Sequence, residues 1–488
     1  MTKPGLSRTG WTFVITSAAL FMTALDNLVV TTALPSIRSH LHASLGSLEW
    51  TVSAYTLTFA VLLLTGAALG DRFGRRRLFI AGLAVFTVAS AGAALAPGVG
   101  ALVTARAIQG VGAAVLTPLT LTLLASAVPP ERRGLALGAW GAVGGLAVAV
   151  GPLIGGAIVE GASWQWIFWV NVPIGLALLP LAATKIDESW GPRKPLDLPG
   201  VAFASAGLLG IVLALVRSTS VGWTSSEVLI ALAGGAAMVG AFVAWERRTD
   251  HPMLPLGLFR SRSFTSSNLA SLLMSFGMFG SIFLLAQFLQ VVQGASPLSA
   301  GVKTLPWTAM PAIVAPVAGI VTQRIGGRSV LAVGLALQAA GLAWIAAVLS
   351  AAVPYADLVP AFVMSGVGMG MFFAPMAGTV LESVSAADEG IASGTNNAIR
   401  ELGGVLGIAV LASVFSGSGG YSSGHAFVQG LLPALLVGTA ILAVAVVAAL
   451  AIPRRRSADG VDVSETLMVP DAPQFHDAPY VGRELELV

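Results

Sequence analysis

GDRFGRRRL, residues 70–78, returns in altered form as TQRIGGRSV, residues 322–330, with Arg72, Gly74 and Arg76 falling on Arg324, Gly326 and Arg328. Each copy closes one long apolar run and opens the next. A spanning helix needs about 20 mostly apolar residues. Such runs occur at 11–34, 47–70, 77–97, 99–127, 134–160, 164–184, 197–217, 226–246, 264–293, 298–322, 328–350, 354–382, 388–417 and 424–452. The first copy follows the second run and the other follows the tenth, a shift of eight. Two six-helix halves separated by two additional helices, the seventh and eighth, produce that shift. The sequence therefore predicts an all-α integral membrane protein with 14 transmembrane helices, built as two six-helix bundles plus two inserted helices.

Composition agrees. The chain is 56% hydrophobic and 10% charged, with a mean hydropathy of +0.85, where a soluble domain carries about 25% charged residues. It has no cysteine, which excludes disulfide frameworks, thiolate zinc sites and thiol catalysis. A pI near 9.5 in a soluble chain would suggest nucleic acid. Here the basic residues sit in short clusters between apolar runs and report topology instead. With the N-terminus in the cytoplasm, the clusters at 72–77, 132–133, 193–194, 247–248, 260–262 and 454–456 all fall inside, and only Arg38, Arg217 and Lys303 fall outside. Both termini are then cytoplasmic. The reading divides the chain into an N-terminal bundle (1–184), the inserted pair with flanking loops (185–263), a C-terminal bundle (264–452) and a flexible cytoplasmic tail (453–488) too polar to order itself.

Charges inside the spans are the candidate functional residues, because a charge at mid-bilayer costs about 2.5–3.5 kcal/mol even on the lenient insertion scale. Asp26 lies about 13 Å below the expected outer helix end at Pro35, too deep for an aspartate to reach water. It is either a structural acid bonded to a neighbouring helix or a proton carrier. Arg106 lies at a comparable depth in the fourth span, where it would either form a static pair or compete with the proton for Asp26. Glu401, with Arg400 beside it, is mid-span in the thirteenth, as a second proton carrier, a counter-charge for a cationic substrate or a structural group. Asp71 stands among the arginines Arg72, Arg75 and Arg76 after Gly70, with Gly74 between them, placed to pair with a helix N-terminus or a basic neighbour and hold a cytoplasmic gate closed. In the fifth span Gly151 and Pro152 precede Gly155 and Gly156, a pattern that bends a helix and lets another approach closely. Tyr55, Trp140, Trp307, Asn396, Asn397, Arg400 and Glu401 are candidates for a substrate cavity. The lysines follow no P-loop glycine and the histidines have no metal spacing, so no enzyme site, ATP site or metal site is read.

These residues resemble the fourteen-spanner drug:proton antiporter family of the major facilitator superfamily. LDNLVVTTALP (25–35) is similar to its helix 1 signature, GDRFGRRR to the loop 2–3 motif, RAIQGVGAA (106–114) to the helix 4 motif, and GPLIGG (151–156) to the antiporter motif of helix 5. WQWIFWVNVPIG (164–175), LDLPG (196–200), SAGVKTLP (299–306) and IRELGGVLGIAV (399–410) also resemble family segments, and the likeness covers residues 11 to about 452. Gln165 and Glu401 depart from it, standing where Arg and Gln are usual. The resemblance implies a multi-pass protein of the cytoplasmic membrane, a monomer that needs no cofactor and binds no nucleic acid. It implies export of a small amphiphilic drug or antibiotic against protons entering down the proton motive force. Asp26 would carry the proton, Arg106 sense it, and Asp71 latch the cytoplasmic gate. A proton- or ion-coupled uptake symporter for a polar solute is the alternative.

Overall fold

The computed structural model describes residues 7–191, 195–385 and 388–453; the expected tail from 454 onward lies outside them. Among the described residues every regular element is helical. The first half holds α1 (Arg8–Leu41), α2 (Leu45–Phe73), α3 (Arg75–Ala94), α4 (Val99–Ala127), α5 (Pro130–Gly161), and a sixth crossing made of the short α6 (Trp166–Trp169) and α7 (Asn171–Lys185). The inserted pair is α8 (Leu198–Val221) and α9 (Ser226–Glu246). The second half begins with α10 (Arg262–Gln287), which runs into a π-helical turn at Phe288–Val292. It continues through α11 (Pro297–Thr308), α12 (Met310–Ile325), α13 (Gly327–Val348), α14 (Tyr355–Glu382), α15 (Glu389–Ser418) and α16 (Gly424–Leu450). Thirteen of these stretches are long and apolar enough to span a membrane, and the bent α5 makes 14.

Caps set the helix starts. Ser7, Ser44, Ser225, Ser261, Ser296 and Ser423 each accept a backbone N–H from the first turn of the helix that follows. The repeat proves structural: Gly74 alone joins α2 to α3 at φ 106°, and Gly326 alone joins α12 to α13 at φ 81°. A one-residue turn at positive φ needs glycine, which is why that position of the repeat is kept.

One expectation needs correction, and two crossings carry an irregularity. Helix 1 does not stop before Pro35 but carries it and ends at His42, which takes a left-handed conformation and bonds back to Arg38. A proline costs a helix one backbone bond, and inside a bundle neighbouring groups absorb that loss. The sixth span is one crossing with a local irregularity at Val170, whose backbone keeps helical angles (φ −59°, ψ −29°). The tenth is two helices meeting at Ala309, with Pro306 and Pro311 on either side of the junction. In α5 the axis turns by 41° between Ala139–Ala147 and Ala149–Gly161. The turn falls four residues before Pro152, where the ring displaces the carbonyl it cannot bond.

The inserted helices sit over the seam between the halves. Val212, Leu215 and Val216 of α8 pack with Leu57 and Val61 of α2 and Val405 and Ala409 of α15. Ser218 bonds Ser413 at 3.0 Å. Of the most apolar stretch of α9 only 17% is buried, against 67% for α1, so α9 turns its side chains to lipid. Asp197 ties the pair together, accepting from the N–H of Gly200 (2.9 Å), the Trp245 indole (2.7 Å) and the N–H of Met253 (3.4 Å). Burial pushes the Asp197 carboxyl up, but the bonds from Gly200, Trp245, Glu246 and Met253 outweigh it and hold the group below its ordinary value.

The halves meet along α5–α11 and α2–α15 and at the end where α1 turns into α2. There the Gln290 amide donates to the Thr32 carbonyl at 2.9 Å, the Leu298 N–H donates to Glu160 at 3.1 Å, and the Arg38 guanidinium lies 3.5 Å over the Tyr421 ring. Nearer the middle Thr308 donates to the Ala149 carbonyl at 3.0 Å. Toward the end carrying the arginine-rich turn, Leu64 of α2 lies beside Gly394 of α15.

Candidate functional site

Small residues bring the deep charges together. In RAIQGVGAA a side chain at Gly110 would strike Thr58 and the Tyr55 carbonyl of α2, and one at Gly112 would meet the α3 backbone at Phe86. With both glycines α4 lies flush against α2 and α3, and Arg106 and Gln109 enter the space between α1, α2, α3 and α7. Asp26 is 2% exposed and Arg106 0% exposed. Arg106 Nη1 pairs with Asp26 Oδ2. Asp26 Oδ1 accepts from Asn171 Nδ2 at 2.8 Å and from Gln109 Nε2 at 3.3 Å. Gln109 in turn accepts from Arg106 Nη1 at 3.0 Å and donates to Ser90 at 2.7 Å, while Arg106 Nε donates to the Thr51 carbonyl at 3.1 Å. The guanidinium stacks 4.3 Å from the Tyr55 ring centroid, and Tyr55 donates its hydroxyl to the Thr23 carbonyl at 3.2 Å. Arg106 Nη2 is buried without a partner. An ion pair in a dry bundle is tolerated only when its remaining donors and acceptors are satisfied, and here all but Nη2 are.

A cavity lies beside this network, between the halves. Asn27, Leu28 and Thr31 of α1 and Val52 and Thr56 of α2 line one wall; Phe279 and Ile282 of α10 and Glu401, Gly404 and Ile408 of α15 line the other. Asp26 does not reach it, but its neighbour Asn27 does. Tyr55, stacked on Arg106, precedes Thr56 of the cavity wall by one residue on α2. A second cleft, between α14 and α15, is walled by Phe372, Phe373, Met376 and Asn396, Asn397 and Arg400. Successive residues on a helix diverge by about 100°, yet Arg400 folds back to bond Glu401 at 3.1 Å, so each cavity has one member of this pair in its wall. Asn396 also donates to Asn268 at 3.2 Å and Ser271 at 2.8 Å, fixing α15 to α10. Trp307 is buried against Phe362, and Tyr55, Trp140 and Trp307 line neither cavity.

The glycines of α5 serve two contacts. Gly151 faces Leu28 and Gly155 faces Val29 and Thr32 of α1, while Gly156 lies against the backbone of Pro297 and Leu298. Gly301 of α11 answers against the Pro152 carbonyl. GPLIGG is thus where α1, α5 and α11 meet, and with it the two halves.

The sequence profile described as Major Facilitator Superfamily matches residues 16–310 and 267–470. The chain belongs to the major facilitator superfamily. Among the relatives of this major facilitator is the tetracenomycin C resistance and export protein of Streptomyces glaucescens, 35% identical over 83% of this chain and 76% of that one. Another is the methylenomycin A resistance protein of Streptomyces coelicolor, 33% identical over 90% and 91%. Among solved structures, a bacterial homologue of the human lysosomal transporter Spinster, in an inward-facing and unoccupied conformation, superposes with a TM-score of 0.65 at 16% identity, covering 92% of this chain and 97% of that one. That likeness carries the fold alone.

In this major facilitator the arginine-rich turn is organised by residues that motif reading passed over. Asp71 pairs with Arg75 one turn along, at 2.7 Å, and so stays within its own half; Arg72 is exposed and lies over Phe73. The incoming partner is the segment after α7. Glu188 accepts the Arg76 N–H at 2.9 Å at the N-terminus of α3, and Ser189 accepts from the Arg75 N–H at 2.9 Å. A carboxylate at a helix N-terminus meets the free N–H groups and the positive end of the dipole. Its sequence signal was an acid, in IDES (186–189), following the sixth span. The network partners Gln109, Asn171 and Ser90 were also missed. They are neutral polar residues, and nothing in their spacing shows that they converge on one carboxylate.

Proposed function

We propose that the chain is a proton-coupled antiporter that exports small amphiphilic drugs or antibiotics across the cytoplasmic membrane by alternating access. Both termini and the arginine-rich turn are cytoplasmic, as the Lys/Arg distribution requires. The observation that carries the reading is the buried Asp26–Arg106 pair lying one residue from a cavity wall shared by both halves. Its geometry supports exchange: protonating Asp26 removes the charge that holds Arg106, and freeing the guanidinium disturbs Thr51, Gln109 and Tyr55 together, all on α2 and α4. That is a rigid-body signal to helices facing the cavity. Glu401 belongs to the same coupling, across the cavity from Asn27, and Arg400 holds it in place. Asp71 with Arg75 and Glu188 with Arg76 stiffen the cytoplasmic turn on which the gate closes.

The named relatives, resistance and export proteins for tetracenomycin C and methylenomycin A, support the substrate class and the outward direction. The energetics suffice. A proton entering across 100 mV releases about 2.3 kcal/mol, which at 1.4 kcal/mol per tenfold sustains roughly a fiftyfold gradient of a neutral compound. Everted membrane vesicles test the direction. Energised vesicles are expected to accumulate the drug and to lose it when the pH gradient is collapsed. Drug loss on energisation would instead indicate an uptake symporter.

A further inference from the structure

Glu49 is an acid that neither the ion pair nor the cytoplasmic turn uses. It lies in the second turn of α2, is fully buried, and neither of its carboxyl oxygens has a hydrogen-bond donor. Val52 and Thr56, three and seven residues on, line the cavity between the halves with Glu401. That spacing puts Glu49 on the same face of α2, a turn closer to the α1–α2 end. Toward that end Tyr421 lies within electrostatic range of Glu49 and the Arg38 guanidinium covers the Tyr421 ring; His40, His42, Glu160 and His425 lie at the same end. From α10, Gln287 accepts from the Tyr421 hydroxyl and Gln290 donates to α1. On the cavity side, Arg106 of α4 bonds the Thr51 carbonyl, but its charge is committed to Asp26. Glu49 therefore lies toward the end where α1, α10 and the α15–α16 connection meet, with no donor to either carboxyl oxygen.

An ionised carboxylate in this position would have lost its hydration and gained nothing in return. A bound proton removes the penalty. We propose that Glu49 is a second proton-binding site, and that it must be occupied before the α1–α2 end of the transporter can close. When the halves part there, water reaches the carboxyl group and the proton leaves to that side; before they close again a proton must return. The site exchanges with the exterior alone, so it governs the return of the empty carrier without adding to the protons moved across the membrane. The inference rests on the proton-coupled reading and adds to it a gate that closes in response to external acidity.

The chain has no cysteine, so spin labels can be placed at Ser39→Cys and Ser422→Cys, both exposed at that end. Their separation is measured by pulsed electron–electron resonance in lipid nanodiscs, without drug, from about pH 5 to about pH 9. The parent carries Asp26→Asn, so titration of Asp26 cannot contribute. His40, His42 and His425, which also lie at that end, are the same in every variant. The closed-to-open ratio is expected to fall as pH rises, by up to about tenfold per pH unit, the limit for one linked proton. Glu49→Asp is expected to keep this response, and Glu49→Gln to remain closed throughout. If Glu49→Gln opens with pH as its parent does, or does not close at any pH, the inference is overturned. Drug-dependent proton flux in the unsubstituted protein is measured separately. Its absence would overturn the antiport reading and leave the distance result standing.

Discussion

At the residue scale, the account turns on what one proton does to Asp26. Asp26→Ala leaves Arg106 charged, buried and unpaired, and losing one member of such a pair costs about 3–5 kcal/mol. A markedly lower Tm in detergent is the expected result. Asp26→Asn keeps the shape and can still accept from Asn171 and Gln109 but also leaves Arg106 without its counter-charge, so it is expected to lower the Tm less than Asp26→Ala and to lose proton dependence. Arg106→Lys retains the charge but cannot reach the Thr51 carbonyl, Gln109 and Asp26 from one planar group. It is expected to reduce pH-driven transport at least tenfold while leaving the protein folded, as circular dichroism would show. The two deep charges were legible in the sequence because charge is rare in a span. Their neutral partners were not, since amides and hydroxyls occur in most of these helices and only the packing of Gly110 and Gly112 shows which of them converge. Glu49 escaped notice for a different reason: it lies five residues into α2, where an acid reads as solvated, and only the folded structure shows it buried.

At the element scale, the paired turns give a controlled comparison. Gly74 and Gly326 both adopt positive φ, but a Cβ at Gly74 would meet the Glu188 carboxyl at about 3.0 Å, while one at Gly326 has open space around it. Gly326→Ala is expected to cost only backbone strain, about 1–3 kcal/mol. Gly74→Ala should cost more, and Glu188→Ala should remove the difference, read as Tm shifts of the single and double variants. The inserted pair makes a pH prediction. Because the folded Asp197 carboxyl lies below its ordinary value, its contribution is fully present above the ordinary carboxylate range and is lost as pH falls through the folded value. Asp197→Ala is expected to lower stability at neutral pH by about 1 kcal/mol, as for a lost helix cap, and to flatten the acid side of the Tm–pH curve. The repeat in residues 70–78 and 322–330 made these elements legible, since a one-residue glycine turn is a local property. The irregularities at Val170 and Ala309 were not, because a span disturbed at a single residue keeps the hydropathy of a regular one.

At the scale of the whole molecule, the count of crossings and the division into two bundles with two inserted helices follow from apolar run length and the repeat offset, and both were readable before any coordinate. Which faces meet was not readable. The α5–α11 contact through Gly156 and Gly301, the Arg38–Tyr421 stack and the seam covered by α8 join segments far apart in the chain, and each depends on shape rather than composition. Alternating access requires those contacts to be separable. Gly156→Leu is expected to hold α5 and α11 apart and abolish export, with the helix content unchanged. The most direct test of the central claim is transport in proteoliposomes under an imposed pH gradient, comparing the unsubstituted chain with Asp26→Asn. The account predicts drug flux that grows with the gradient in the former and ignores it in the latter. Equal, gradient-driven drug flux in both would contradict it.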